Sequence, residues 1–147
     1  MYALGASAAI GAARAEQRVM IITYTDDDAL RMHRLAPNLM LSIGINDPRD
    51  IARLEQRGMD LTRVIAWTGT HEPNSALNIA LKARGIESRF GTLGPPSTSF
   101  DARFARQGDV GYAAVAETGV ETIASDRPIE AVRALRAAGG ADPARCT

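Results

Sequence analysis

Acidic side chains gather where apolar runs end: Asp26, Asp27 and Asp28 follow Tyr24, Asp47 follows Ile45, and Asp126 follows Ser125. Carboxylates in such loops offer oxygen ligands to a hard cation, magnesium or calcium. An acid at a helix start has a second use, accepting unpaired backbone N–H groups and offsetting the helix dipole. Asp27, Asp28 and Asp47 suit that structural use, whereas Asp26 and Asp126 keep the ligand-facing alternative. His71, in Thr68-Gly69-Thr70-His71-Glu72-Pro73, offers an acid, base or metal ligand, or stands solvated. His33 falls inside a helical pattern, and neither histidine has a neighbour at metal-ligand spacing. Trp67 and Tyr24 each close a strand-like run, where a ring forms a wall of a substrate pocket or packs in the core. The glycine-bearing Gly91-Thr92-Leu93-Gly94 is not part of a GxxxxGK[ST] or GxGxxG motif, so nucleotide binding is unsupported. Ser97, Thr98 and Ser99 lack the GxSxG elbow of a serine hydrolase.

Other chemistries are excluded by composition. Cys146 is the single cysteine, so one copy builds neither a disulfide framework nor a cysteine zinc site. Lys82 is the single lysine and lies in a helical pattern, away from a Schiff-base or phosphate-loop setting. The 147 residues carry 17 basic and 17 acidic side chains, and the basic ones are scattered rather than run together, which argues against a nucleic-acid partner. No stretch approaches the roughly 18 uninterrupted apolar residues of a membrane span, so a soluble chain is expected, its compartment, cytoplasm or periplasm, left open. Tyr2 to Ala15 lacks a basic leader, and Gly5, Ser7 and Gly11 break its apolar run; it reads as an amphipathic helix rather than a secretory signal.

The elements that must position these residues repeat one pattern. Val19 to Tyr24 is a short β-branched apolar run, read as a strand buried on both faces, and a helix through Leu30 and Met32 follows to Pro37. Leu39 to Ile45 is the next strand, with a helix from Asp47-Pro48 to a stop at Gly58. Val64 to Gly69 is the third, and its helix carries Leu77, Ile79 and Leu81 before Gly85. Glu87 to Leu93 is a fourth, more polar strand. The stretch from Gly94 to Tyr112 reads as a long strand-end loop, Tyr112 to Thr118 as a helix, Val120 to Ser125 as a fifth strand, and Asp126-Arg127-Pro128 as the opening of a last helix.

Strands separated by helical crossovers predict a parallel α/β sheet in one domain over residues 1–147, with a frayed tail at 139–147. An open doubly wound sheet and part of a (β/α)8 barrel both satisfy the pattern, though a full barrel of roughly 250 residues is far longer than this chain. In either architecture ligands bind at the carboxyl ends of the strands.

Three segments at those ends, Val64-Ile65-Ala66-Trp67-Thr68-Gly69, Arg84-Gly85-Ile86-Glu87 and Thr118-Gly119-Val120-Glu121-Thr122-Ile123-Ala124-Ser125-Asp126-Arg127-Pro128, together resemble the closing strands of glycerophosphodiester phosphodiesterases. Leu39-Met40-Leu41-Ser42, after Ala36-Pro37, is similar to the preceding strand of one branch of that family. The resemblance implies a partial (β/α)8 barrel of about five βα units, its carboxyl-terminal half. It implies hydrolysis of glycerophosphodiesters with a divalent metal, magnesium or calcium, which neutralises phosphoryl charge while histidines handle protons. Trp67 is the pocket residue that transfers best, and Tyr24, Ser42, Thr92 and Asp126 are substrate-side positions near strand ends. The family's His-Arg-Gly motif, Glu-x-Asp pair and second histidine are absent: His33-Arg34 is followed by Leu35, and no Glu-x-Asp occurs. The resemblance therefore implies a module with no metal ligands assignable in this chain and no activity of its own. A half barrel leaves strand edges and apolar faces open. A homodimer, an N-terminal half supplied by another segment, or rearrangement to an open sheet would each resolve that. The alternative function is a non-catalytic α/β module that binds a small phosphorylated or polyol ligand through strand-end loops and helix N-termini.

Overall fold

The computed structural model describes residues 2–140. The elements run α1 (Tyr2–Ala12), β1 (Met20–Ile22), α2 (Asp26–Leu35), β2 (Met40–Gly44), α3 (Pro48–Gln56), a single 3-10 turn (Leu61–Arg63), β3 (Val64–Trp67), α4 (Ser75–Lys82), β4 (Glu87–Gly91), α5 (Phe100–Gln107), α6 (Gly111–Glu117), β5 (Thr122–Ala124) and α7 (Pro128–Ala137). The predicted parallel α/β class is the one observed. The chain forms two compact units, one comprising Met1–Trp67 with Ala80–Glu87, the other Thr68–Ile79 with Ser88–Thr147.

In the first unit β1, β2 and β3 pair in parallel, with Met20 beside Met40 and Leu41 beside Val64. Leu41, Ile43, Val64 and Ala66 on these strands are buried together with Leu30, Ile51 and Leu54 from the covering helices. Thr25 caps α2 by accepting the Asp28 N–H at 3.1 Å. α3 begins with a capping box, in which Asp47 accepts the Arg49 N–H at 2.7 Å and Asp50 reaches back to the Asp47 N–H at 3.1 Å, with Pro48 inside the first turn. The Arg49 guanidinium and N–H together hold the Asp47 carboxyl down to about 2.

In the second unit β4 and β5 pair in parallel, with Phe90 beside Ile123. Phe90, Phe104, Tyr112, Val115, Val120 and Ala131 form its core. The rings of Phe104 and Tyr112 meet edge to face, centroids 4.8 Å apart, as do Phe90 and Phe100 at 5.5 Å. Gly111 is required here, because a Cβ on it would run into the Phe104 ring.

Three expectations are corrected. The stretch from Gly94 to Tyr112 is not one loop: it contains α5, which Ser99 caps by accepting the Ala102 N–H at 3.2 Å and which Phe100 and Phe104 anchor at i, i+4 spacing. The Pro95-Pro96-Ser97-Thr98 run hid that start. β1 is three residues long and only half-buried, with Ile22 58% exposed, so it is not enclosed on both faces. α1 forms but shows no single apolar face, since Ala8 and Ala9 are exposed and only Ser7 and Ile10 are half-buried in its second half. Of the expected frayed tail, Gly139 lies in the turn that follows α7, the Gly140 N–H returns to the Leu135 carbonyl at 2.8 Å, and residues 141–147 lie outside the described residues.

Candidate functional site

The densest polar chemistry in the second unit lies just past the carboxyl ends of β4 and β5. Their register sets Gly91 beside Ala124, and the Thr92 N–H donates to the Ala124 carbonyl at 2.8 Å, so Thr92 and Ser125 leave the strands as neighbours. The chain then turns through Gly94, at φ 137°, to the Ser99 cap, and the Asp101 N–H donates back to the Thr92 carbonyl at 2.9 Å. This directs the Asp101 side chain inward from the first turn of α5, where it is 3% exposed.

Four donors surround that carboxylate. The Tyr112 hydroxyl donates at 2.8 Å, Ser125 Oγ lies 3.0 Å from each oxygen, and the Asp126 N–H donates at 2.6 Å. The Thr92 hydroxyl is the fourth, its proton shared between Asp101 and the Ala124 carbonyl 3.2 Å away. Burial pushes the Asp101 carboxyl up, and the hydrogen bonds from Thr92, Tyr112, Asp126 and Ser125 outweigh it, leaving the group below its ordinary value. Burial raises the Tyr112 phenol, and the Asp101 charge adds to that. A carboxylate held ionised by this many donors is a fixed brace rather than a proton acceptor poised near neutrality. It ties α5, α6 and the β5 end together. Ser125 Oγ also accepts the Arg127 N–H at 2.9 Å, and the Arg127 guanidinium reaches Asp109 at 2.7 Å.

The sequence-predicted site residues divide between the units. In the first, Trp67 ends β3 half-buried, and its carbonyl accepts the Ile45 N–H at 3.0 Å. Tyr24 stands just past β1 and is 90% exposed. Ser42 is buried within β2, and its carbonyl accepts both the N–H and the hydroxyl of Thr23, at 2.9 and 3.1 Å. In the second unit Thr92 is fully buried, whereas Asp126 is exposed and accepts the Gly94 N–H at 3.3 Å. Thr92 and Asp126 thus both meet Asp101, which sequence reasoning did not single out. Tyr112 was missed likewise. An N-cap serine two residues before an acid, with phenylalanines at i, i+4, was the available signal.

The acids in the first turn of α2 are taken up by Arg53 and Arg57 and by the α2 cap. Asp26 pairs with Arg53 at 2.8 Å and Arg57 at 3.5 Å, Asp27 pairs with Arg57, and Asp28 accepts the Thr25 hydroxyl at 2.8 Å. His71 is exposed in its loop and His33 half-buried in α2. Among the described residues no group of three or more His, Cys, Asp and Glu side chains converges to hold a metal ion. With Asp26, Asp27 and Asp50 on arginines and Asp101 saturated by donors, the residues present do not fit the divalent cation that the sequence resemblance implies. No described helix is long and apolar enough to cross a membrane.

No family model matches the chain, and no curated protein matches its sequence. Among solved structures it is similar to a glycerophosphoryl diester phosphodiesterase from Parabacteroides distasonis, with a TM-score of 0.73 and 21% identity. The match covers 90% of this chain and 46% of that one, so this chain spans less than half the length of its structural relative. At that identity the likeness shows a shared fold.

Proposed function

We propose that the chain is the carboxyl-terminal half of a glycerophosphodiester phosphodiesterase-like barrel, contributing substrate contacts while the metal and proton-transfer groups belong to sequence it does not contain. The structural match over 90% of the chain carries this reading. The strand-end motifs at Trp67-Thr68-Gly69 and Ser125-Asp126-Arg127-Pro128 support it. Hydrolysis of a phosphodiester needs charge neutralisation at the phosphoryl oxygens and a positioned acid and base. The absence of a carboxylate-histidine cluster among the described residues therefore favours binding without turnover by this chain.

We assign the roles by exposure. In the first unit Tyr24 and Trp67 have surface to offer a glycerophosphodiester. In the second, Asp126 is exposed and offers an acceptor for a hydroxyl. Ser42 and Thr92 are closed off and act by holding the strand-end backbone. Calorimetric titration of the purified chain with glycerophosphocholine tests this. Saturable binding that weakens about tenfold in Tyr24→Ala is expected, the loss of one good contact being worth that much. No binding at millimolar ligand, or binding indifferent to that substitution, would overturn the assignment.

A further inference from the structure

A different charge arrangement occupies the amino ends of the first unit's strands. Arg18 stands two residues before β1, Asn38 two residues before β2, and Arg63 immediately before β3; the parallel register carries all three to one end of this three-stranded set. Arg14, Glu16 and Gln17 join them around a polar cavity of about 600 Å³. That volume is ample for a small metabolite.

Among the described residues none of the three guanidiniums is in an ion pair. Asp60 accepts the Thr62 N–H and hydroxyl on one oxygen, at 2.9 and 2.7 Å, and these bonds, ahead of the His33 and Arg63 charges, hold its carboxyl below the ordinary value. Three guanidiniums against the Glu16 carboxylate leave a formal excess of two positive charges, 3 − 1, in one cavity. Arg49, Arg53, Arg57, Arg84 and Arg127, by contrast, each pair with a carboxylate close by.

Backbone conformation adds a second observation. Arg14 has φ 50°, the one left-handed non-glycine position among the described residues. It follows α1 where the Ala15 N–H returns to the Ile10 carbonyl at 3.1 Å, the six-to-one bond of a glycine-favouring helix end. Arginine at this position gives up the conformational ease of glycine and adds a cationic residue to the cavity lining.

We propose that the cavity framed by Arg14, Arg18, Asn38 and Arg63 binds a small phosphate monoester as its dianion. Guanidinium forks match phosphoryl oxygens in geometry, and the two-charge excess matches a dianion better than the single charge of a diester. This site goes beyond the glycerophosphodiester reading and stands whether or not that reading holds.

Amide NMR titration of the full chain at constant ionic strength tests it, with methyl phosphate as the monoester and dimethyl phosphate as the diester. Methyl phosphate is expected to give saturable shifts confined to residues 14–18, 38 and 63, and dimethyl phosphate to bind at least about tenfold more weakly. Arg18→Gln and Arg63→Gln should each weaken the monoester about tenfold. Arg14→Gly should weaken it while holding or raising the melting temperature, which a purely structural arginine would not do. Linear shifts spread over the surface, equal affinity for the two esters, or glutamine variants that titrate like the parent chain would overturn the proposal.

Discussion

The carboxyl ends of β4 and β5 and the amino ends of β1 to β3 are both rich in polar side chains, yet they treat charge in opposite ways. Around Asp101 the charge is negative, buried and matched by donors from Thr92, Tyr112, Ser125 and Asp126. Around Arg14, Arg18 and Arg63 it is positive and, among the described residues, in no ion pair, at the edge of a cavity. A buried charge survives only when hydrogen-bonded, so the first cluster is read as architecture. Unpaired guanidiniums keep their donors available, so the second is read as recognition. Polarity at a strand end is thus no guide to function until each donor and acceptor has been followed to its partner.

The contrast breaks most sharply at Asp101. Asp101→Ala strands the Tyr112 hydroxyl, Ser125 Oγ and the Asp126 N–H, and a loss of about 3 kcal/mol in chemical denaturation is expected. A loss below about 0.5 kcal/mol would mean that the carboxylate braces nothing. Tyr112→Phe removes one bond to a charged acceptor and should cost about 1.5 kcal/mol by the same measurement, leaving the ring packed on Phe104.

Acid supplies a reversible version of the same test. The Asp101 carboxyl lies lower in the folded chain than in the unfolded one, so its stabilising contribution is complete above the ordinary aspartate range, near pH 4, and is lost as pH falls through the folded value. Melting temperature should therefore drop below about pH 4. The drop should be smaller in Asp101→Asn, measured relative to that variant's own neutral-pH value. The smallest effect is expected at the other cluster: Arg14→Gly relieves a left-handed backbone and should leave stability unchanged or raise it by up to about 1 kcal/mol.

Hydrophobic pattern made the parallel α/β arrangement legible, because Leu39 to Ile45 and Val64 to Trp67 can be buried only as strands between crossover helices. Asp47-Pro48 and Arg127-Pro128 likewise marked true helix starts. α5 was not legible, since Pro95-Pro96 and the serines before it carry loop character and the helix is specified by ring packing across α5 and α6. The Asp101 brace was hidden for a related reason. An acid two residues past an N-cap serine looks like a dipole-offsetting surface residue, and only the fold brings Tyr112 and Ser125 onto it. The arginine cavity draws on positions 14, 18, 38 and 63, spaced by strand register rather than by any local motif.

Binding without turnover can be read in a single cuvette, because Trp67 is the only tryptophan and reports on its own strand end. Glycerophosphocholine is titrated into the purified chain with magnesium or calcium present while Trp67 emission is followed, and the mixture is then assayed for glycerol phosphate. Saturable change in emission with the diester recovered intact is the expected result. Metal-dependent release of glycerol phosphate, or emission that does not respond at millimolar diester, would contradict it.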